Sequence, residues 1–358
     1  MFPLRRFIGL ITCLVLTTFS LYAQPQSLEE VGRYEGKMAN PKDVTVTADG
    51  HALLLDPARR EAGLTLIDLE QQQEVARVAS GYGPGLIRME GNQVLTQSED
   101  STLWLWQRSG KQLSIFEKKL QHHASRTLSD AGDGLFPLND STAVAAKSLS
   151  SGKTLFEYRS INDGYRFAKS SNPDVTANAH PLLGPLGKNP MLRQGHYVVD
   201  EGEAFIAFRF SSTILKLDND GVQQVIPGQN AIPFPKYEVR SDDSNGYQAP
   251  DVTEHPIATT DLSLGDRYIY VLHHGETFDI GTLSQFTKAV SGRMEAAVEE
   301  WELTNRLLIY DRSSLEFVRE LELPHEARAI SVDADHLYIL TVDDMPPSLI
   351  TYQKPDIN

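Results

Sequence analysis

Histidine and arginine side chains gather in the segments that connect predicted strands. Seven of the ten histidines lie there, and two pairs of them are adjacent in sequence. Histidines can transfer protons or bind a metal, and arginines can bind carboxylates or other anions. We therefore predict a ligand- or partner-binding surface that contains Arg59, Arg60, His122, His123, Arg126, His180, Arg193, Arg240, His255, His273, His274, Trp301 and His325.

The spacing of these residues does not match an established metal motif. Adjacent histidines in an extended strand point to opposite faces, so neither pair forms two ligands of one site. Asp242, Asp243 and Asn245 resemble part of a calcium loop but lack the remaining ligands. We predict no cofactor and no metal, and no catalytic residue is identified. Scattered surface histidines and arginines that offset nearby acids are the alternative interpretation.

Motifs of several common enzyme classes are absent from the sequence. It contains no Gly-x-Ser-x-Gly elbow, phosphate loop or dinucleotide fingerprint. Its one cysteine is Cys13, within a predicted leader, so the mature chain would have no disulfide, thiolate nucleophile or cysteine metal ligand. The formal net charge of −15 argues against binding to a phosphate backbone, and no nucleic-acid partner is expected.

The elements that position these residues form a repeated hairpin. Each copy has two strands with alternating apolar residues around a turn rich in Gly, Asn or Asp, which accept the backbone angles of tight hairpins. Units of this size cannot bury their own apolar face, so their repetition is typical of rings of sheets. The six copies span residues 44–55, 86–95, 135–145, 197–208, 261–272 and 329–340.

A second hairpin follows five of these copies. The sixth is followed only by one strand near residues 348–352, and a spare strand near residues 28–35 can complete it. We therefore predict an all-β fold, a six-bladed β-propeller whose last blade is closed by the N-terminal strand. The second hairpins span residues 64–78, 103–116, 155–168, 214–226 and 307–321. Trp104 and Trp106 are predicted to pack between blades.

The hairpin repeat, the Asp-x-x-Gly-like outer turns, the leader and the run Gly-Tyr-Gly-Pro-Gly at residues 81–85 resemble the TolB-like six-bladed propellers of the bacterial envelope. The resemblance covers nearly the whole mature chain. It implies the propeller fold and an envelope location, and it brings no catalytic residue set. An acidic residue usually follows this glycine run in the family, whereas this chain has Leu86.

The N-terminus has the pattern of an export signal. Arg5 and Arg6 precede an apolar run, and the sequence around Ala23 suits cleavage there. We predict a signal peptide at residues 1–23 and one propeller domain at 24–358, located in the periplasm or secreted. An uncleaved membrane anchor is the alternative, although the run is short for a spanning helix. Lipid attachment at Cys13 is not expected, and the mature protein is predicted to be a monomer without a transmembrane segment.

The two ends of the predicted ring differ. Turns between the first and second and the third and fourth strands of each blade share one end, here called the tight-turn face. All long segments lie at the other end, the long-loop face, and long loops commonly bind ligands. They span residues 121–133, 169–195, 227–258 and 275–303.

The 275–303 insertion in blade five has apolar residues at helical spacing from residue 282 onward, which predicts a lid or docking helix. The alternative is a surface helix that only covers apolar loop residues and has no binding role. The function predicted is non-catalytic binding of an envelope protein or small ligand on the long-loop face. The alternative is a metal- or histidine-dependent hydrolase or lyase with its site at the channel mouth.

Overall fold

Six antiparallel sheets make up the described part of this computed structural model. The structure describes residues 28–47, 49–81, 93–97, 102–107, 111–128, 131–147, 154–235, 255–277, 303–342 and 346–357. Within these residues, α1 (Gly184–Lys188) is the one α-helix. Short 3-10 turns span Lys118–Leu120, Pro181–Leu183 and Pro190–Arg193. The predicted all-β, six-bladed propeller is confirmed.

The strands follow the chain from blade to blade. The first strand, β1 (Glu30–Tyr34), belongs to the last blade. Blade one consists of β2 (Asp43–Val46), β3 (His51–Leu55), β4 (Leu64–Asp68) and β5 (Gln73–Val78). Blade two consists of β6 (Gln93–Gln97), β7 (Leu103–Gln107), β8 (Gln112–Glu117) and β9 (Gln121–Thr127). Blade three consists of β10 (Ala131–Asn139), β11 (Thr142–Lys147), β12 (Thr154–Asn162), β13 (Arg166–Lys169) and the short β14 (Val175–Thr176).

The second half of the ring repeats the same order. Blade four consists of β15 (Gly195–Asp200), β16 (Glu203–Phe208), β17 (Ile214–Asp218) and β18 (Gly221–Ile226). Blade five consists of β19 (Thr259–Leu264), β20 (Tyr268–His273), β21 (Thr304–Asp311) and β22 (Phe317–Ala327). Blade six consists of β23 (Ala329–Val332), β24 (His336–Thr341), β25 (Ser348–Gln353) and β1.

The N-terminal strand closes the ring as predicted. β1 pairs antiparallel with β25, with Tyr34 opposite Leu349. The Gln353 amide donates to the Glu29 carbonyl at 2.9 Å, which extends the pairing by one step. Leu28 and Tyr34 are both only 9% exposed, so the segment also contributes apolar surface to the core. The two ends of the chain thus hold the last blade together.

Glycines in the tight turns and alternating apolar side chains in the strands account for the structure of the blades. Gly50 and Gly202 have φ values of 79° and 80° in the first-to-second turns of blades one and four, where an L-residue would be strained. The apolar residues of each blade pack against those of the next. Trp104 and Trp106 are buried against Leu135 and neighbouring alanines of blade three, which confirms their predicted place between blades.

Blade two differs from the prediction by one strand. The 86–95 hairpin was expected to supply its first two strands, but β6 is the innermost strand and pairs with β7. The 103–116 hairpin therefore forms strands two and three, and β9 is the fourth. The long segment predicted at 121–133 is consequently mostly strand. The polar sequence of β9 lacks an alternating apolar pattern because the outermost strand of a blade has an unpaired, solvated edge.

Six innermost strands, β2, β6, β10, β15, β19 and β23, surround the axis of the ring. They position the channel described below. No helix in the described ranges is long and apolar enough to cross a membrane. The leader at 1–23 and the predicted helix of the 275–303 insertion lie outside the described residues, apart from the ends of that insertion.

Candidate functional site: the central channel

Two of the predicted ligand-binding arginines have structural partners. Arg59 is 8% exposed, and its guanidinium lies 3.1 Å from the Glu74 carboxylate and 3.6 Å from that of Glu61. Arg193 is 3% exposed and donates to the carbonyls of Leu186, Lys147 and Thr154 at 3.1, 3.4 and 3.1 Å. Arg193 therefore ties the connection between blades three and four to blade three.

Three histidines predicted as binding residues fix the backbone of connections at the long-loop face. His180 accepts a hydrogen bond from the Leu182 amide at 3.3 Å and caps a 3-10 turn. His255 lies 2.9 Å from the Phe210 carbonyl. His274 accepts from the Glu276 amide at 3.2 Å. The structure places all three at the predicted end of the ring but does not bring them together.

His273 is buried at the end of β20. Burial lowers the pKa of its imidazole to about 4, and the positive charge of Arg306 acts in the same direction. The side chain is 1% exposed, and its Nε2 lies 3.5 Å from the Asn230 amide nitrogen. A neutral, buried imidazole of this kind supports loop packing and is closed to solvent ligands.

His122 and His123 lie at the opposite end from the one predicted. Both follow the tight turn between β8 and β9, which places them at the tight-turn face. The Nδ1 atom of His123 is 2.5 Å from the Glu117 carboxylate, and its ring meets Tyr165 edge-on. Arg126 donates to the Gly164 carbonyl in a tight turn of blade three. The error follows from the one-strand shift in blade two, which converts a predicted loop into β9.

The remaining predicted residues that the structure describes, Arg60 and His325, do not form a cluster. Arg60 is exposed in the connection between β3 and β4. His325 lies in β22, with Nε2 3.5 Å from the Arg33 guanidinium, and helps to hold the closing strand. Arg240 and Trp301 lie outside the described residues. In the described ranges, no three His, Cys, Asp or Glu side chains converge as a metal site requires.

A cavity lies along the axis of the ring and is here called the central channel. Its volume is about 730 Å³, and it is lined by five inner strands and by their turns at the tight-turn face. Small-molecule sites usually have volumes of 300–1,000 Å³, so the channel is large enough for a ligand. The side chain of Thr45 belongs to this lining, because Val44 and Val46, its neighbours in β2, pack into a cluster between blades.

A chain of polar contacts joins the inner strands within the channel. The Nδ1 atom of His196 in β15 lies 3.3 Å from Oδ1 of Asp261 in β19. Oδ2 of Asp261 accepts a hydrogen bond from the Ile330 amide of β23 at 2.7 Å. Farther round the ring, Ser331 accepts from the Val46 amide at 2.8 Å. These bonds connect blades four, five, six and one at the axis.

Among the described residues of the channel lining, His196 is the one histidine, and its side chain is 36% exposed. No hydrogen bond joins its second ring nitrogen, Nε2, to a described residue. A histidine whose one nitrogen faces a carboxylate can present the other to a ligand as a proton acceptor or donor. Asp261, which is 7% exposed, is held by two partners and orients the ring.

The channel mouth at the tight-turn face is acidic. The acids of this mouth come from the first-to-second turns of blades three to six and are Asp140, Asp200, Glu201, Asp266, Asp333 and Asp335. Arg312, from the third-to-fourth turn of blade five, partly offsets them. It lies 2.7 Å from Asp200 and 3.9 Å from Glu201. The same guanidinium lies over the ring of Phe205 in blade four, and this contact links blade five to blade four.

The sequence prediction missed the channel residues for an identifiable reason. His196 and Asp261 stand near the start of inner strands, whereas the prediction concentrated on connections. Their signal is a charged or ionisable side chain at an inward-facing position of the innermost strand. The acids of the first-to-second turns were interpreted as turn formers, which they also are.

Comparison with known proteins identifies the fold. No family model and no curated protein sequence matches the chain. The β-propeller domain of Cps50 (Swd1) from Myceliophteria thermophila is similar over 92% of this chain and 100% of its own, with 11% identity and a TM-score of 0.50. The structure of U3-55K is similar over 92% of this chain and 100% of its own chain, with 11% identity and a TM-score of 0.51.

A third similar structure comes from Bacteroides fragilis and is described as a candidate exported protein. It covers 92% of this chain and 94% of its own, with 11% identity and a TM-score of 0.51. Identities this low establish the fold alone. These structural similarities, together with the six sheets around one axis, show that this chain is a six-bladed β-propeller.

Proposed function

We propose that this protein is an exported, TolB-like propeller that binds a ligand or a segment of a partner protein without chemical conversion. The acid-lined channel of about 730 Å³ is the observation that carries this proposal. It moves the proposed site from the connections of the long-loop face to the axis of the ring. The described histidines and buried arginines of that face already have structural partners, which supports this choice.

The ring provides a rigid frame for such a site. Inner strands from separate blades supply the lining, and backbone-directed bonds from Asp261 and Ser331 hold these strands in place. A site on paired strands is more fixed than one on loops, which lowers the entropy lost on binding. Ligand specificity would come from the few polar groups of the lining, among them His196.

Filling the channel is expected to abolish ligand binding. Thr45 is half-buried in the lining, and its hydroxyl makes no hydrogen bond to a described residue, so Thr45→Trp places an indole in the cavity. Small molecules of cationic, neutral and anionic classes are screened by their effect on the melting temperature. At a concentration of roughly 100 times Kd, a ligand that binds only the native state stabilises it by about 2.7 kcal/mol.

The control variant is Val318→Trp, which adds the same side chain at an exposed position on the outer strand of blade five. We expect ligands that raise the melting temperature of the unaltered protein and of Val318→Trp but leave Thr45→Trp unchanged. An equal rise in Thr45→Trp, or no stabilising ligand in any class, would contradict binding in the channel.

Export is proposed from the leader pattern. Cleavage after Ala23 gives a mature chain that begins with Gln24. Intact mass spectrometry of the protein from an envelope fraction is expected to give the mass of residues 24–358. A mass that includes Met1 would contradict cleavage.

A histidine-dependent hydrolase or lyase is the second candidate function, and the His196–Asp261 pair favours it. A carboxylate that orients a histidine is a common arrangement for proton transfer. The two functions differ in the fate of the bound molecule. Recovery of an unchanged ligand after prolonged incubation supports binding, whereas a product that the protein with His196→Gln no longer forms supports catalysis.

A further inference from the structure

We propose that the channel takes a ligand with several positive charges, carried by ammonium or guanidinium groups. This inference rests on the proposed binding function and assigns its ligand class. It follows from the charges of the lining, from the polar groups deeper in the channel and from the shape of the cavity.

The charged groups of the described channel lining all have one sign. The described lining contains eight acidic residues and no lysine or arginine, and His196 is its one ionisable base. Six of the acids ring the mouth, and Asp43 and Asp261 lie farther in. A cleft with charges of one sign and walls of low dielectric concentrates the field and attracts ligands of opposite charge.

Nearby basic residues offset only part of this charge. Arg312 pairs with Asp200 and approaches Glu201. The Lys354 ammonium donates to the Asp333 carbonyl at 2.8 Å. Asp140, Asp266 and Asp335 are exposed, and none of these three carboxylates has an ion pair with a described residue. They are therefore available to an incoming cation.

A second feature inside the channel also indicates a ligand. Ser263 lines the cavity and is 7% exposed, yet its hydroxyl has no hydrogen-bond partner among the described residues. Leu262 and Leu264 pack between blades four and five, so Ser263 shares the opposite side of β19 with Asp261. The hydroxyl therefore faces the cavity and can accept a hydrogen bond from an ammonium or guanidinium group. Nε2 of His196 provides another acceptor in the same cavity.

The shape of the cavity favours an extended ligand over a single metal ion. Blades three to six each contribute one or two of the mouth acids, so these acids are spread over four blades, whereas a calcium ion needs its oxygen ligands within 2.3–2.6 Å. A neighbouring cleft of about 430 Å³ between blades two and three shares Pro137, Asn139 and Asp140 with the channel. An elongated polycation could therefore begin in the channel and continue past Asp140.

Charge removal at the mouth tests this assignment. The triple variant Asp140→Asn, Asp266→Asn and Asp335→Asn keeps residue size and turn preference. The control Glu29→Gln, Glu70→Gln and Glu316→Gln makes the same change in net charge at exposed positions outside the channel lining. Spermidine and a hexalysine peptide serve as probes, and affinity is measured by isothermal titration calorimetry at two salt concentrations.

We expect at least one probe to bind the unaltered protein and the control triple with affinities within a factor of two. Affinity for the channel triple is expected to fall by at least about tenfold, because three attractive charges near the ligand are lost. Higher salt should also weaken binding. Binding of spermidine alone would identify a free polyamine as the ligand type, and binding of the peptide alone would identify a basic protein segment.

Three outcomes would overturn the assignment: neither probe binds, the channel triple binds as well as the unaltered protein, or the control triple loses as much affinity. If polycations fail but a neutral or anionic molecule binds and Thr45→Trp blocks it, the ligand class is wrong and the binding function stands. If no molecule of any class binds in the channel, both proposals fail.

Discussion

Deletion of residues 24–36 is expected to lower the melting temperature of the mature protein by roughly 10 °C. The deletion removes β1 and so leaves β25 as an exposed edge. It also removes the buried side chains of Leu28 and Tyr34, each of which contributes about 2 kcal/mol through apolar burial. Unpaired edges in addition favour association of chains, so the shortened protein should aggregate at lower temperature.

A pair of point variants separates this role from a general effect of truncation. Tyr34→Ala is expected to cost about 3 kcal/mol of unfolding free energy, because it leaves a cavity where the ring was buried. Val31→Ala, on the same strand but 49% exposed, should cost less than about 0.5 kcal/mol. Chemical denaturation measures both. Equal stability of the two variants, or an unchanged melting temperature after the deletion, would contradict closure by this strand.

Arg193→Ala is expected to destabilise the fold by roughly 3–5 kcal/mol. The guanidinium is buried and donates to three carbonyls that belong to β11, β12 and α1. Its loss removes a donor from each of these carbonyls in a place that water reaches poorly. The connection between blades three and four should then open at lower denaturant concentration, which hydrogen exchange of residues 181–193 can report.

The matched control is Arg60→Ala, another arginine of the predicted binding surface, which is exposed. Its removal should change unfolding free energy by less than about 0.5 kcal/mol. If Arg193→Ala were as stable as Arg60→Ala and instead weakened ligand binding, Arg193 would be a binding residue, as the sequence pattern suggested, and the structural assignment would be wrong.

Most of the ring could be predicted because its local signals agree with its global fold. Alternating apolar residues and turn-forming Gly and Asp residues identify hairpins such as 197–208 and 261–272, which the structure confirms as β15–β16 and β19–β20. The incomplete sixth blade and the spare strand near residues 28–35 also predict the closure. These signals depend on side-chain type and short spacing, which a sequence displays directly.

Blade two shows the limit of such signals. A hairpin pattern states that two strands pair, but it does not state which positions they occupy in a four-stranded blade. The 103–116 hairpin could therefore be placed one strand too far out. The outer strand β9 is largely polar and exposed, so its sequence resembled a loop, and His122 and His123 were assigned to the wrong end.

The site was less predictable than the fold because it depends on contacts across distant parts of the chain. His196 and Asp261 are separated by 65 positions in the numbering and meet only when blades four and five are adjacent. The mouth acids are likewise ordinary turn residues until the ring brings their turns together. Residue type alone predicted a ligand-binding role for Arg59, Arg193 and His273. Their burial and their contacts within the protein instead indicate a structural role.

Occupancy of the channel can be measured with one introduced thiol. The mature chain has no cysteine after Ala23, so Ser263→Cys puts a single reactive group in the cavity, and Gln71→Cys puts one on an exposed outer turn. The rate of alkylation of each variant is measured with and without spermidine or the hexalysine peptide. We predict that the bound probe slows alkylation at position 263 at least about fivefold and leaves position 71 unchanged, as expected for a ligand that shields the cavity. Equal rates at position 263 with and without a probe that calorimetry shows to be bound would place the ligand elsewhere and contradict the channel as the site.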